Sequence, residues 1–218
     1  MNFSRPTLAS RAVPAPSFGQ SAASAPHSDT VAFQHPQPAA ENRLEVRLSD
    51  ERINNRVREL AGEINRTFTD SDPLVVLGVM KGALVFTSDL IKQLNMPCQL
   101  ELVTLSSYGN GDTSSGRVNG SLDHLPDLSG RDVLIVEDIL DTGHTLTHLT
   151  GALKDRYPEM NQLKTAVLLD KPERRETPFE ADFTGFTVAN EFLVGRGLDY
   201  QGLYRNLPDV AVLKGTTH

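Results

Sequence analysis

The chain has 218 residues, 39% of them hydrophobic, and a formal net charge of −7. That length and apolar content suffice for one ordinary domain with residues to spare, and the acidic balance argues against a nucleic-acid partner, which a basic surface would bind. No apolar run approaches the ~20 residues that cross a bilayer, and the single cysteine, Cys98, excludes an intrachain disulfide. A soluble, cytoplasmic protein without a membrane partner is the expectation, with Cys98 an inert, buried thiol.

Residues 1–42 carry six prolines among Ala, Ser and Gln, and no sustained apolar periodicity. Such a segment cannot bury enough surface to offset its ordering entropy, so it is expected to be a disordered tail. A transit peptide is the competing reading for the tail, disfavoured because the prolines spoil an amphipathic helix. The folded domain is expected over residues 43–218.

From Ser49 the spacing becomes helical, with Ile53, Val57, Leu60, Ala61 and Ile64 on one face and Ser49 or Asp50 as cap. Leu74 to Val79 reads as a strand, Lys81-Gly82 as a tight junction, Ala83 to about Leu94 as a helix, and 98–106 as a further strand. Residues 108–121 are rich in Gly, Asn, Ser, Asp and Thr and predict a long loop, after which 127–131 turn. Val133-Leu134-Ile135-Val136 is a four-residue, mostly β-branched run of the kind buried on both faces of a parallel sheet. Glu137 and Asp138 are expected to close that strand. Asp141-Thr142-Gly143-His144-Thr145 then turns into a helix over 145–156 with Leu146, Leu149 and Leu153 at helical spacing. Thr165 to Leu169 predicts another buried strand, followed by short strands at 183–188 and 192–194 and a glycine-loosened C-terminal region. Alternation of strand and helix implies an α/β fold: a mainly parallel twisted sheet flanked by helices, with a small hood built partly from the C-terminal part.

The turn at 141–145 has a physical logic. Gly143 lets backbone approach an anion closely, Thr142 and Thr145 add hydroxyl donors, and the next helix presents free N–H groups. Glu137 and Asp138 repel phosphate; they suit sugar hydroxyls or a hard cation such as Mg²⁺. Together these features describe a sugar-phosphate site. Lys81-Gly82, at another strand-to-helix junction, offers a second anion site. Lys171 at a strand end can donate to an exocyclic oxygen, Phe192 offers a flat stacking face, and the Leu193 backbone can read a base edge.

The run from Glu137 to Thr145 resembles the phosphoribosyl diphosphate-binding motif of type I phosphoribosyltransferases, and Val79-Met80-Lys81-Gly82-Ala83 resembles the diphosphate loop of the hypoxanthine-guanine branch. The resemblance covers roughly Glu45 to Leu213. It implies a non-proline cis peptide between Met80 and Lys81, and a flexible lid beginning at Ser107-Tyr108. It implies phosphoribosyl diphosphate contacts from Lys81, Gly82, Glu137, Asp138, Asp141, Thr142, Gly143, His144, Thr145 and Arg205. Lys171, Phe192, Leu193 and Asp199 match purine-side positions, and Glu137, Asp138 and Asp199 match Mg²⁺ positions. Asp141 is the expected catalytic residue, a proton acceptor at purine N7. The implied reaction is transfer of phosphoribosyl from 5-phosphoribosyl 1-diphosphate to hypoxanthine or guanine, by a homodimer or homotetramer. Position 144 is His and position 193 is Leu, departures from the common family spelling that leave the reaction unchanged.

Three alternatives compete. A response-regulator receiver domain shares the acid pair and a later lysine, but it needs an acceptor aspartate on a strand between them, and here Asp170 directly adjoins Lys171. A nucleotide-responsive regulator on the same fold is opposed by the acidic charge and the presence of Asp141. A xanthine-preferring transferase differs only in the base.

Overall fold

The computed structural model describes residues 44–69, 73–105 and 122–214, all within one compact unit. Elements follow in the order β1 (Leu44–Leu48), α1 (Asp50–Thr67), β2 (Leu74–Met80), α2 (Leu84–Ile91), β3 (Cys98–Thr104), β4 (Asp132–Leu140), α3 (His144–Arg156), β5 (Gln162–Asp170), β6 (Phe183–Thr187), β7 (Leu193–Val194) and β8 (Val210–Leu213). The tail lies outside the described residues.

Among the described residues, five strands form a parallel sheet in the order β3-β2-β4-β5-β6. Strand alternation divides its side chains between two cores. Leu74, Val76, Leu134, Val136, Ala166 and Leu168 meet α1 through Ile53, Val57, Leu60, Ala61 and Ile64. On the opposite face Val75, Leu77, Val133, Ile135 and Val167 meet Leu146, Leu149 and Leu153 of α3. The continuous apolar runs in β2 and β4 are therefore a consequence of burial on both faces, as the sequence predicts.

α1 forms where its periodicity places it. Ser49 caps it, its Oγ accepting from the Arg52 amide at 3.4 Å, and Asp50 and Glu51 sit in the first turn where the helix dipole favours negative charge. Cys98 is half-buried, its Sγ donating to the Met96 carbonyl at 3.4 Å, and burial pushes its thiol up, away from the reactive thiolate. No helix of the described residues is long and apolar enough to cross a membrane.

Two expectations are corrected, the ends of β4 and α2, and a third gains detail. β4 does not close at the acid pair; it continues to Leu140, because Ile139 and Leu140 keep pairing with Leu169 and Asp170. The hood, expected to come partly from the C-terminal part, is a three-stranded antiparallel sheet, β1-β8-β7, in which the first strand of the described residues joins the C-terminal strands. The helix after Gly82 ends at Ile91, sooner than its apolar spacing to Leu94 suggests, and Gln93 and Leu94 instead close turns onto Leu90 and Ile91.

Candidate active site

The C-terminal ends of β2 and β4, the first turn of α3 and the hood turn around Asp199 enclose a cavity of roughly 330 Å³. Gly82, Glu137, Asp138, Asp141, Thr142, Gly143, Thr145, Asp199 and Arg205 line it, with Leu105, Ile139 and Leu140 as apolar wall. A cleft beyond the carboxyl ends of parallel strands is where open α/β sheets bind ligands.

Glu137 and Asp138 are each only 8% exposed. Burial is the main force pushing both carboxyls above their usual range; their mutual charge adds for Glu137, while the Ile139 amide at 2.9 Å and the charge of Arg205 oppose it for Asp138. Two adjacent acids held this dry favour a cation or hydroxyl donors beside them.

Gly143 caps α3 with φ 89°, a left-handed conformation that a side chain rarely adopts. A Cβ there would also stand 2.3 Å from Thr177 Oγ1. Its neighbours are braced by the segment after β5. The Thr142 carbonyl accepts from the Glu176 and Thr177 amides at 2.9 and 3.2 Å, and Arg175 Nε donates to the Asp141 carbonyl at 3.3 Å while its far end pairs with Asp170. Gly143, Thr145 and Leu146 bring the start of α3, whose first-turn amides lack intrahelical acceptors, to the cavity wall, where an anion could meet them.

Asp141 Oδ1 is shielded from solvent yet accepts no hydrogen bond; Arg174 Nε lies 3.2 Å away as an ion pair without hydrogen-bond alignment. A buried acceptor left open in this way is ready for a donor from a ligand.

The Met80–Lys81 peptide is cis, as the resemblance implies. The Ala83 and Leu84 amides are spent on the Val79 and Lys81 carbonyls at 3.2 and 3.3 Å, which narrows the second anion site to Lys81 and Gly82. Gly82 rests directly on Asp138: a Cβ there would fall 1.8 Å from Asp138 Oδ2. Lys81 is exposed and is not part of the cavity wall.

Asp199 and Arg205, 6 residues apart by number, meet in the hood turn. Arg205 Nη2 lies 2.6 Å from Asp199 Oδ1 and its Nη1 donates to the Gly197 carbonyl at 2.6 Å, while the Gly202 amide donates to Asp199 Oδ2 at 2.7 Å. Lys171 is buried, and its Nζ donates to the Glu191 carbonyl at 2.7 Å. Burial lowers its pKa, and the charge of Asp141 opposes that shift. Phe192 is half-buried and meets Tyr200 in a T-shaped contact, centroids 5.5 Å apart and planes at 86°. The Leu193 side chain is buried in β7, where that strand pairs with β8.

His144 does not face the cavity. Its ring is exposed, Nε2 meeting Glu176 Oε2 at 2.8 Å on the outer side of the turn. Lys171, Phe192 and Leu193 also lie off the cavity wall. Ser107 and Tyr108 lie outside the described residues.

Sequence reasoning missed Arg174 and Arg175, whose signal was two consecutive arginines just after the lysine-bearing strand end. It also missed Tyr200, and Arg47, which grips the Glu191 carboxylate through two bonds of 2.7 and 2.6 Å. That grip fixes the segment whose carbonyl holds Lys171.

Comparison with known proteins bears on these geometries. The phosphoribosyl transferase domain family matches residues 48–201. The hypoxanthine-guanine phosphoribosyltransferase of Bacillus subtilis (strain 168) is 44% identical over 169 residues, 78% of this chain and 92% of that protein. That of Aquifex aeolicus (strain VF5) is 43% identical over 172 residues, 79% and 96% respectively. The chain spans only 26% of the bifunctional protein TilS/HprT of Listeria innocua, to which it is 44% identical over 169 residues. The crystal structure of a hypoxanthine phosphoribosyltransferase from Staphylococcus aureus superposes with a TM-score of 0.74 at 42% identity, covering 80% of this chain and 94% of that one. With a domain match over most of its described residues and relatives matched almost end to end, this chain belongs to the phosphoribosyltransferase family.

Proposed function

We propose that the chain transfers the phosphoribosyl group of 5-phosphoribosyl 1-diphosphate to N9 of hypoxanthine or guanine, releasing diphosphate, as in purine salvage. The observation that carries this reading is the convergence on one cavity of a buried acid pair, an amide-lined turn and the Gly82–Arg205 side.

Each group has a task set by its chemistry. The amides and hydroxyls of Asp141 to Thr145 cradle the 5′-phosphate, with His144 contributing backbone alone. Glu137 and Asp138 accept from the ribose hydroxyls, and Lys81, Gly82 and Arg205 hold the diphosphate. Asp141 accepts the proton at purine N7 or holds the tautomer that presents N9 as nucleophile. Lys171 donates to the 6-oxo group, and Phe192 stacks on the ring. Developing positive charge at the ribose carbon is shielded from water by the apolar wall of Leu105, Ile139 and Leu140.

The donor set suits Mg²⁺. Its oxygens come from carboxylates, and burial disfavours their charge unless a cation compensates. Among the described residues no three His, Cys, Asp or Glu side chains converge on one point, which fits an ion that takes its remaining oxygens from substrate. Glu137 and Asp138 would hold one such ion and Asp199 a second, and when bound they would neutralise charge on the departing diphosphate.

An assay of hypoxanthine, guanine, xanthine and adenine with phosphoribosyl diphosphate, with Mg²⁺ and with chelator, tests the reading. Products are expected with the first two bases and Mg²⁺; no product with any base overturns it, and product from xanthine alone reassigns the base. In the same assay Lys171→Ala is expected to raise the KM for purine about tenfold or more, the worth of a lost charge-assisted hydrogen bond, with the diphosphate substrate affinity unchanged. Equal losses for both substrates would assign Lys171 to folding.

We infer that the chain assembles as at least a homodimer. Leu84 of α2 and Leu100 and Leu102 of the edge strand β3 are 52%, 43% and 43% exposed, a group of large apolar side chains that a second copy would cover. Sedimentation should give the mass of a dimer or tetramer, and a monomer at micromolar concentration would refute this.

A further inference from the structure

Three features of the hood turn stand out. Gly195, Arg196 and Gly197 have φ of 94°, 50° and 103°, three left-handed residues in succession, and the middle one carries a buried cation. The Arg196 side chain is only 7% exposed. Its Nη1 pairs with Asp50 at the start of α1 and reaches the Pro208 carbonyl at 3.3 Å; its Nη2 bonds Asn54 of α1 and lies 2.8 Å from Asp89 Oδ2 of α2. Nε is buried without a hydrogen-bond partner, so the charge is held by its Nη side alone.

We propose that Arg196 is a positioning residue for the diphosphate side of the active site, its buried guanidinium tying the hood turn to α1 and α2 and so setting where Gly82 and Arg205 stand relative to each other. This rests on the reading that Lys81, Gly82 and Arg205 hold diphosphate.

Two contacts connect the tie to those groups. Gly197 packs against the anion loop so closely that a Cβ on it would stand 2.0 Å from the Gly82 carbonyl oxygen. The Gly197 carbonyl also accepts from Arg205 Nη1 at 2.6 Å, and the Gly197 amide donates to the Arg205 carbonyl at 3.0 Å. Asp89 belongs to α2, the helix that the Lys81–Gly82 junction opens into. The hood turn thus touches the loop at Gly82 and, through Arg196, the helix behind that loop. Moving the turn moves Arg205 with it.

Arginine suits this position because a planar fork can meet acceptors on two helices at once, which an ammonium cannot do in one geometry. Removing it takes the Arg196 cation from both Asp50 and Asp89 and leaves Asp89 with the exposed Lys92, whose Nζ lies 2.8 Å from Asp89 Oδ1. The turn then keeps its backbone bonds to Leu198 and Leu207 but loses its link to both helices.

The test compares Arg196→Met, Arg196→Lys and Asp89→Asn, with Arg205→Ala as the control for the underlying reading. KM for phosphoribosyl diphosphate and the inhibition constant of inorganic diphosphate are expected to rise about tenfold in Arg196→Met, with KM for hypoxanthine within twofold. Arg196→Lys should recover part of that loss, and Asp89→Asn should reproduce a weaker form of it although Asp89 lines no part of the cavity. Equal losses for both substrates, or diphosphate constants unchanged while Arg205→Ala raises them, would overturn the proposal. If Arg196→Met does not fold, the Asp89→Asn pattern decides by the same criteria. If Arg205→Ala itself leaves the diphosphate constants unchanged, the diphosphate reading fails and takes this proposal with it.

Discussion

Replacing Asp141 with Asn is expected to lower turnover by about 10²- to 10⁴-fold, the range for losing a general base, with KM for phosphoribosyl diphosphate within about threefold. The asymmetry follows from which parts of Asp141 do what. Its carbonyl is gripped by Arg175, and the adjoining Thr142 carbonyl by the Glu176 and Thr177 amides, so the turn proposed to cradle the phosphate does not depend on the carboxyl group. The carboxyl carries the open acceptor, Oδ1, beside Arg174. Asn preserves the shape and can still bond at N7, but it cannot take a proton. Unchanged turnover in pre-steady-state mixing would remove the proton-transfer role, and a large rise in KM for phosphoribosyl diphosphate would make Asp141 a member of the phosphate cradle instead.

The parts of this site that were legible in the sequence share a physical character: their signals are local. β2 and β4 show burial on both faces as unbroken apolar runs, and α1 shows its buried stripe in a spacing of three and four residues. Gly143 is recognisable because a tight turn into a helix through left-handed backbone favours glycine. What stayed hidden is set by partners far along the chain. β1 exists as a strand because Leu44 pairs with Leu213, and β8 is four residues whose identity comes from the strands on either side. β6 and β7 look alike as short apolar runs, yet one is the fifth strand of the parallel sheet and the other belongs to the hood, a choice made by packing alone. Arg175 and Arg196 act on residues 34 and 146 positions away. The acid pair was misjudged for a related reason: charge suggests a strand end, whereas pairing with β5 carries β4 through it to Leu140.

The acid pair should show a trade between stability and activity, with Glu137→Gln moving the two in opposite directions. Burial, joined by the charge of Asp138, holds the Glu137 carboxyl well above its usual range in the ligand-free protein. A carboxyl whose folded pKa exceeds its unfolded one binds its proton more tightly when folded, so its contribution to stability falls as pH rises from the ordinary carboxylate range through the raised folded value. Near neutral pH that penalty is present, and at about pH 4, where folded and unfolded chains both hold most of the proton, it is largely absent. Glu137→Gln is therefore expected to raise Tm by roughly 2–8 °C at neutral pH, equivalent to about 1–2 kcal/mol for a protein of this size, and to change it little near pH 4. The same substitution removes the group proposed to accept from a ribose hydroxyl and to hold a cation. Turnover should fall by about 10²-fold or more, and the thermal stabilisation that Mg²⁺ and phosphoribosyl diphosphate together confer should shrink. Calorimetry at the two pH values, with and without those ligands, checks both halves. A lower Tm for the ligand-free variant at neutral pH would mean that the carboxylate stabilises the fold, and the site would then lack the stored charge penalty that favours a cation beside it.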